Sequence, residues 1–294
     1  MSEIGGVSGE VAGNGEVAEN VFVTGHEITV SPAEQIQHTT EIPTTLDAAQ
    51  KSVESYHEQS VRQILEMNGK YMSETDKARI AKGADRIEAV AYDPMRGRTG
   101  GYLFANGTGS IEVSAIDQQQ MERSTKHETN HFASMNREII VPQPDKKGYT
   151  VYRTIGTRQE SWFHSNEIGG NYNYISKGRG MNEGLTTMYT NEQLTELSEE
   201  KGLAAKRQAI YSHASEVCGQ LEKIVGEDAL KEAYYGGDLM GLETKVDELA
   251  GKNGYKELRD CLDRTISKEY GERVQAMKEA QEILARMYAK GERT

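Results

Sequence analysis

Two short stretches hold residues that could do chemistry together. In "STKHETNHFAS" (124–134), His127 and His131 stand four apart with Glu128 between them, and "GRGMNEGLTT" (178–187) contains Glu183. On an α-helix, positions i and i+4 share one face a turn apart, so the two imidazoles can offer nitrogens to one tetrahedral ion. Glu128, one residue past the first histidine, points beside that ion, where a carboxylate can take a proton from a water the metal has acidified. With only 7 histidines in the chain, the pattern arises by chance on the order of once in a hundred such sequences. A carboxylate at Glu183, where a helix-rich segment opens, could complete a two-histidine set and leave one position of a catalytic zinc open. His164 with Glu167, in "SWFHSNE", is an alternative donor pair. His26, His38 and His57, in the tail or the first helix, are expected to be solvated.

Such side chains need elements to position them. A helix over about 117–136 is expected to carry the histidines, fed by the short β-rich runs "RIEAVAY" (86–92), "GGYLFA" (100–105) and "SIEVSA" (110–115). "NGTG" between the last two is a hairpin signal, so these runs predict a small antiparallel sheet. Upstream, Leu46, Val53, Val61, Ile64 and Leu65 lie close to helical spacing over 45–68. Ser73 and Asp76 have the cap and first-turn chemistry of a second, shorter helix. Beyond "VPQPDKKG", the runs "YTVYRTIG" and "RQESWF" predict a second hairpin, and "NEIGGNYNYISKGRG" an irregular loop. From Met181 onward the pattern is helical. Ile210, Val217, Leu221 and Ile224 form one stripe, Leu242, Val246 and Leu249 another, Leu258, Leu262 and Ile266 a third, and Val274, Met277, Leu284 and Met287 a fourth, all expected in the core.

Composition bounds the rest. The 294 residues suffice for a sizeable core, and a net charge of -12 speaks against a nucleic-acid partner. No apolar run approaches the length of a membrane helix, so no membrane partner is expected. The first 45 residues hold seven glutamates and no Lys or Arg, the composition of a disordered acidic tail. Three segments result: this tail (1–45), an α+β subdomain with the active-site helix (46–180) and an α-helical subdomain with the third ligand (181–294). Cys218 and Cys261 fall at apolar helical positions and read as buried thiols. With no signal peptide in view, the location is cytoplasmic, or export uses a route without a typical signal.

The two motifs together resemble the gluzincin clan of zinc metallopeptidases, the thermolysin-like group with HExxH and a downstream glutamate, over roughly residues 100–190. The resemblance implies a zincin-like α+β fold, a small antiparallel sheet packed on the HExxH helix with a mostly helical C-terminal half. It implies one catalytic Zn2+ on His127, His131 and Glu183, with Glu128 as general base and proton shuttle. "GGYLFA" and "SIEVSA" would form the sheet above the cleft, whose edge strand pairs with an extended peptide or protein substrate. Where the thermolysin-like pattern has an aspartate that orients the first histidine, this chain has Thr187. Asn182 or Asp117 is the expected replacement. Tyr174, ahead of the glutamate helix, resembles the tyrosine that stabilises the oxyanion, with Tyr172, Tyr189, His213, Tyr234 and Tyr235 as competitors. Zinc-dependent peptide hydrolysis is the function expected. The alternatives are a helical binding or regulatory protein stapled by zinc, and a secreted toxin or effector with the same peptidase chemistry.

Overall fold

A computed structural model describes residues 45–93, 100–105, 108–143, 147–165, 173–200 and 211–292. The tail segment 1–44, with His26 and His38, lies outside the described residues. Helix α1 (Leu46–Asn68) starts where the Thr45 side chain accepts the Ala48 N–H at 3.2 Å. Its buried stripe includes Val53, Val61 and Ile64, as the spacing predicts. His57 corrects one expectation. It is buried, not solvated, because it sits on the core face of α1, one turn before Val61. A short 3₁₀ turn (Gly69–Tyr71) leads to α2 (Glu74–Lys82), capped by Ser73.

The first sheet comprises β1 (Arg86–Ala91), β2 (Gly100–Ala105) and β3 (Thr108–Ala115), in the order β1-β3-β2. It is mixed, where an antiparallel sheet was expected: β2 and β3 run antiparallel, but β1 and β3 are parallel, with Arg86 opposite Ser110 and Ala91 opposite Ala115. Because β3 takes the middle place, the first and third strands, which run the same way, become neighbours. Ile111 and Val113 of β3 are buried, and the sheet packs on α1 and on α3 (Gln118–Ala133).

Helix α3 ends three residues sooner than the pattern suggested. The Asn136 amide donates to the carbonyls of His131, Phe132 and Ser134, closing the helix. A strand missed by the sequence reading, β4 (Asn136–Gln143), follows directly and pairs antiparallel with β5 (Gly148–Ile155). The expected second hairpin is β5 with β6 (Arg158–Ser165), and three residues of the expected loop form β7 (Ile175–Lys177) at the sheet edge.

The remaining described elements are helical: α4 (Arg179–Glu200), α5 (Ser212–Val225), α6 (Glu227–Lys231), a π-helix (Glu232–Gly236), α7 (Leu239–Ala250), α8 (Gly254–Thr265) and α9 (Tyr270–Gly291). Val217, Leu221, Leu242, Val246, Leu258, Leu262, Leu284 and Met287 are buried as expected, and Cys218 and Cys261 are buried free thiols. Val274 is 37% exposed instead. It lies two residues, or about 200° of rotation, from Ala276 on the buried stripe of α9. Ile210 lies outside the described residues. The fold is mixed α/β with small sheets, and residues of both segments, 46–180 and 181–294, share one hydrophobic core within the unit Thr40–Thr294. No described helix is long and apolar enough to cross a membrane.

Candidate metal centre

His127 and His131 sit one turn apart on α3 and face the first turns of α4. Glu183 Oε2 lies 3.3 Å from His127 Nε2 and 3.3 Å from His131 Nε2. An ion with tetrahedral bonds of about 2.0–2.1 Å sets its ligand atoms about 3.3–3.4 Å apart. Two edges of that tetrahedron are therefore already formed. The three residues are 6–8% exposed, and this buried group can hold a metal ion. Burial alone would push the Glu183 carboxyl up, yet His131 and His127 facing it hold it well below the ordinary carboxylate range. The carboxylate is thus poised as an anion among donors that a cation would bridge.

A metal on Nε2 requires a hydrogen on Nδ1, and something must accept it. His131 Nδ1 faces Asn182 Nδ2 and Thr186 Oγ1, each at 3.2 Å. Asn182 Oδ1 accepts the Thr157 N–H, so its amide nitrogen is what it presents to the ring. That leaves the Thr186 hydroxyl as the group able to accept, its own proton going to the Asn182 carbonyl at 2.7 Å or to the Tyr234 hydroxyl at 2.7 Å. Asn182 touches His131, the second histidine, where the sequence suggested a partner for the first. Asp117 instead caps α3 by accepting the Gln120 N–H. His127 Nδ1 is buried with no hydrogen-bond partner among the described residues.

Helix α4 is fixed at its start by a carboxylate from α8. Asp263 accepts the N–H groups of Gly178 and Gly180 at 2.8 and 2.7 Å, satisfying donors that a helix start leaves open. A Cβ at Gly180 would fall 1.9 Å from the Leu262 carbonyl oxygen, and one at Gly184 2.7 Å from that of Ala214. The glycines around Glu183 thus let backbone lie against backbone on both sides of this carboxylate.

Glu128 is 8% exposed. Gly100, the first residue of β2, passes so near that a Cβ there would lie 3.0 Å from Glu128 Oε1. The sheet edge therefore runs directly over this carboxylate. Tyr174 is not among the side chains touching the group. It is 55% exposed, and its hydroxyl bonds to Glu160 and Arg158 of β6. Tyr189 is buried in the core, Tyr235 donates to Asn130 Oδ1 at 2.9 Å, and His213 is exposed on α5. His164 packs on Tyr149 in the second sheet, with ring centroids 4.7 Å apart. Tyr172 and Glu167 lie outside the described residues.

One phenol that the sequence reading did not single out is present. Tyr211 lies nearly parallel to His127, with 6.2 Å between centroids and 22° between planes. Burial raises its hydroxyl pKa, Glu183 and Glu128 add to the rise, and the nearby positive charge of Arg179 opposes it. Its backbone is left-handed, at φ 56° and ψ 28°, a costly conformation for a bulky side chain and one that recurs at functional sites. No spacing rule connects residue 211 to residue 127, so only the fold could reveal it.

Compared with known proteins, the chain matches no family model, no curated protein and no solved structure.

Proposed function

We propose that this protein is a zinc-dependent metallopeptidase with a zincin-like arrangement of sheet edge, HExxH helix and glutamate helix. The observation that carries this reading is the pair of 3.3 Å distances from Glu183 Oε2 to the two imidazoles, with Glu128 on the same helix turn. A donor set of two imidazoles and one carboxylate suits zinc, and three protein ligands are the number that catalytic zinc sites use. When bound, the ion would polarise a substrate carbonyl and acidify a water.

The chain's own residues supply the remaining roles. Glu128 takes the proton of the attacking water and returns it to the departing amine. Tyr211, rather than Tyr174, donates to the carbonyl oxygen as that oxygen gains charge, which fits its place against His127. Thr186 keeps His131 in the tautomer a metal requires. The open edge of β2 offers backbone groups to an extended peptide above Glu128.

The rival reading, a binding protein stapled by the ion, calls for a fourth protein donor. Among the described residues the group contains three, which favours the enzyme. Metal analysis with a peptide-library cleavage screen tests the proposal. Glu128→Gln should retain zinc and lose hydrolysis, whereas Glu183→Ala should lose both. Full cleavage by Glu128→Gln, or full zinc content in Glu183→Ala, would refute it.

A further inference from the structure

Arg179 is the charged side chain that the assignments above leave unused. It is the first residue of α4, four before Glu183, so both leave the same face of the helix one turn apart. The backbone on either side is pinned by Asp263 through Gly178 and Gly180. That fixes where the Arg179 side chain starts. Its side chain is exposed, and its positive charge lies near enough to the Tyr211 hydroxyl to lower that group's pKa; the Tyr211 ring stacks on His127. A guanidinium only donates, so it leaves the phenol proton free for another acceptor.

Two facts bear on what else the guanidinium could hold. Its five N–H donors form the rigid fork that matches a carboxylate. Among the described residues, no carboxylate forms an ion pair with it. The second fact is local charge. With a divalent ion in place, Glu128 and Glu183 cancel its charge, and Arg179 leaves the centre with one net positive charge. The chain as a whole carries -12, which disfavours an acidic substrate at long range, but salt screens that field beyond about 8–10 Å. Within the cleft the sign is reversed.

We propose that Arg179 is the specificity residue of this centre and selects peptides that present a carboxylate beside the bond to be cut. The carboxylate is that of an acidic side chain or of the peptide's own C-terminus; both offer the same fork. The pinned start of α4 sets the Arg179 side chain one turn from Glu183. The inference rests on the metallopeptidase reading for the bond that is broken, but recognition can be measured without cleavage.

The test uses the full chain loaded with zinc. Matched peptides carry Glu or Gln next to the scissile position, each as C-terminal acid and as C-terminal amide. The Glu form or the acid form should be cleaved about ten- to hundredfold better than its neutral counterpart, the range of a charge-assisted bidentate contact. The difference should lie mainly in KM, and the arm that shows it identifies the source of the carboxylate. Arg179→Gln should erase the ratio, Arg179→Lys should keep part of it, and Arg179→Glu should favour a Lys peptide.

Binding of the same peptides to zinc-loaded Glu128→Gln, read by calorimetry, gives the second arm. A carboxylate that simply ligates the ion would bind Arg179→Gln as tightly as the parent, and that result overturns the proposal. So does cleavage indifferent to both carboxylates. Arg179-dependent binding without cleavage of any peptide would instead support the recognition site and remove the peptidase reading.

Discussion

His57 offers a quantitative test of how the histidine helix is held. Its ring is buried between α1, α3 and the segment leading into β1. The Ala84 N–H donates to Nε2 at 3.2 Å, so Nδ1 carries the ring hydrogen and gives it to Thr129 Oγ1 at 2.9 Å. Thr129 lies midway between His127 and His131. Burial lowers the His57 pKa from 6.5 to about 4, since a charged ring there would lose its hydration and find the Nε2 side already occupied by a donor. Above 6.5 the ring is neutral in both folded and unfolded chains. As pH falls from 6.5 toward 4, the unfolded chain takes up a proton that the folded one refuses, so stability is lost over that window. The loss is about 2 kcal/mol by pH 5 and about 3 kcal/mol by pH 4. At about 2–4 °C per kcal/mol for a unit of this size, that lowers the melting temperature by about 4–8 °C at pH 5. In His57→Gln the amide can accept from Ala84 and donate to Thr129 without titrating. Urea and thermal unfolding of both proteins from pH 7.5 to 5 isolate the effect, because every other titrating group is common to the two. The parent should lose about 2 kcal/mol more than the variant over this range. Parallel stability curves would refute the reasoning.

Two further perturbations probe the surroundings of the candidate ligands. Thr186→Val removes the acceptor for His131 Nδ1 and the partner of the Tyr234 hydroxyl; metal affinity, read by competition with a chelator, should fall about 10–100-fold, and Thr186→Ser should restore most of it. Gly184→Ala sets a methyl 2.7 Å from the Ala214 carbonyl oxygen and 2.8 Å from Cys218 Sγ, forcing α4 from α5; it should cost about 1–3 kcal/mol in urea unfolding, and an unchanged midpoint would show that the helices separate freely.

What the sequence made legible was local. The cap at Ser73, the core positions of α5, α7 and α8, and the β5–β6 hairpin are set by residues within a few positions of one another. The histidine spacing on α3 belongs to the same class, because a helix turn alone determines it. What escaped was tertiary. Strand order in the first sheet depends on which edge β3 pairs with, and hairpin signals say nothing of β1. Strand β4 escaped because Asn136 closes α3 with its side chain, a bond no apolar period reports. His57 was expected in water because one polar residue on a stripe gives no hint of its two partners, one of them 72 positions away. Tyr211 and Arg179 come near one another across 32 residues, ten of which (201–210) lie outside the described residues.

The polar character of α3 ties these observations together. Residues 124–133 are buried without a break, although most are polar or charged. A helix enclosed on all sides is ordinarily apolar, because each polar group buried without a partner costs about 1–3 kcal/mol. Here partners come from several elements. Lys126 donates to Gln63 of α1 at 2.8 Å, and Thr129 accepts from His57 of the same helix. Asn130 is held by Thr190 and Gln193 of α4 and by Tyr235 of the π-helix. Tyr234, its neighbour on that π-helix, reaches Thr186 and through it His131. A turn one residue wider than an α-turn is what lets consecutive tyrosines serve neighbouring positions of α3 and α4. An apolar α3 would tolerate rotation about its axis with little change in energy, whereas a few degrees of rotation here would strain several buried hydrogen bonds at once. The rotation of α3 decides whether both Nε2 atoms face Glu183. The bonds that satisfy the buried helix are therefore the same bonds that aim its histidines.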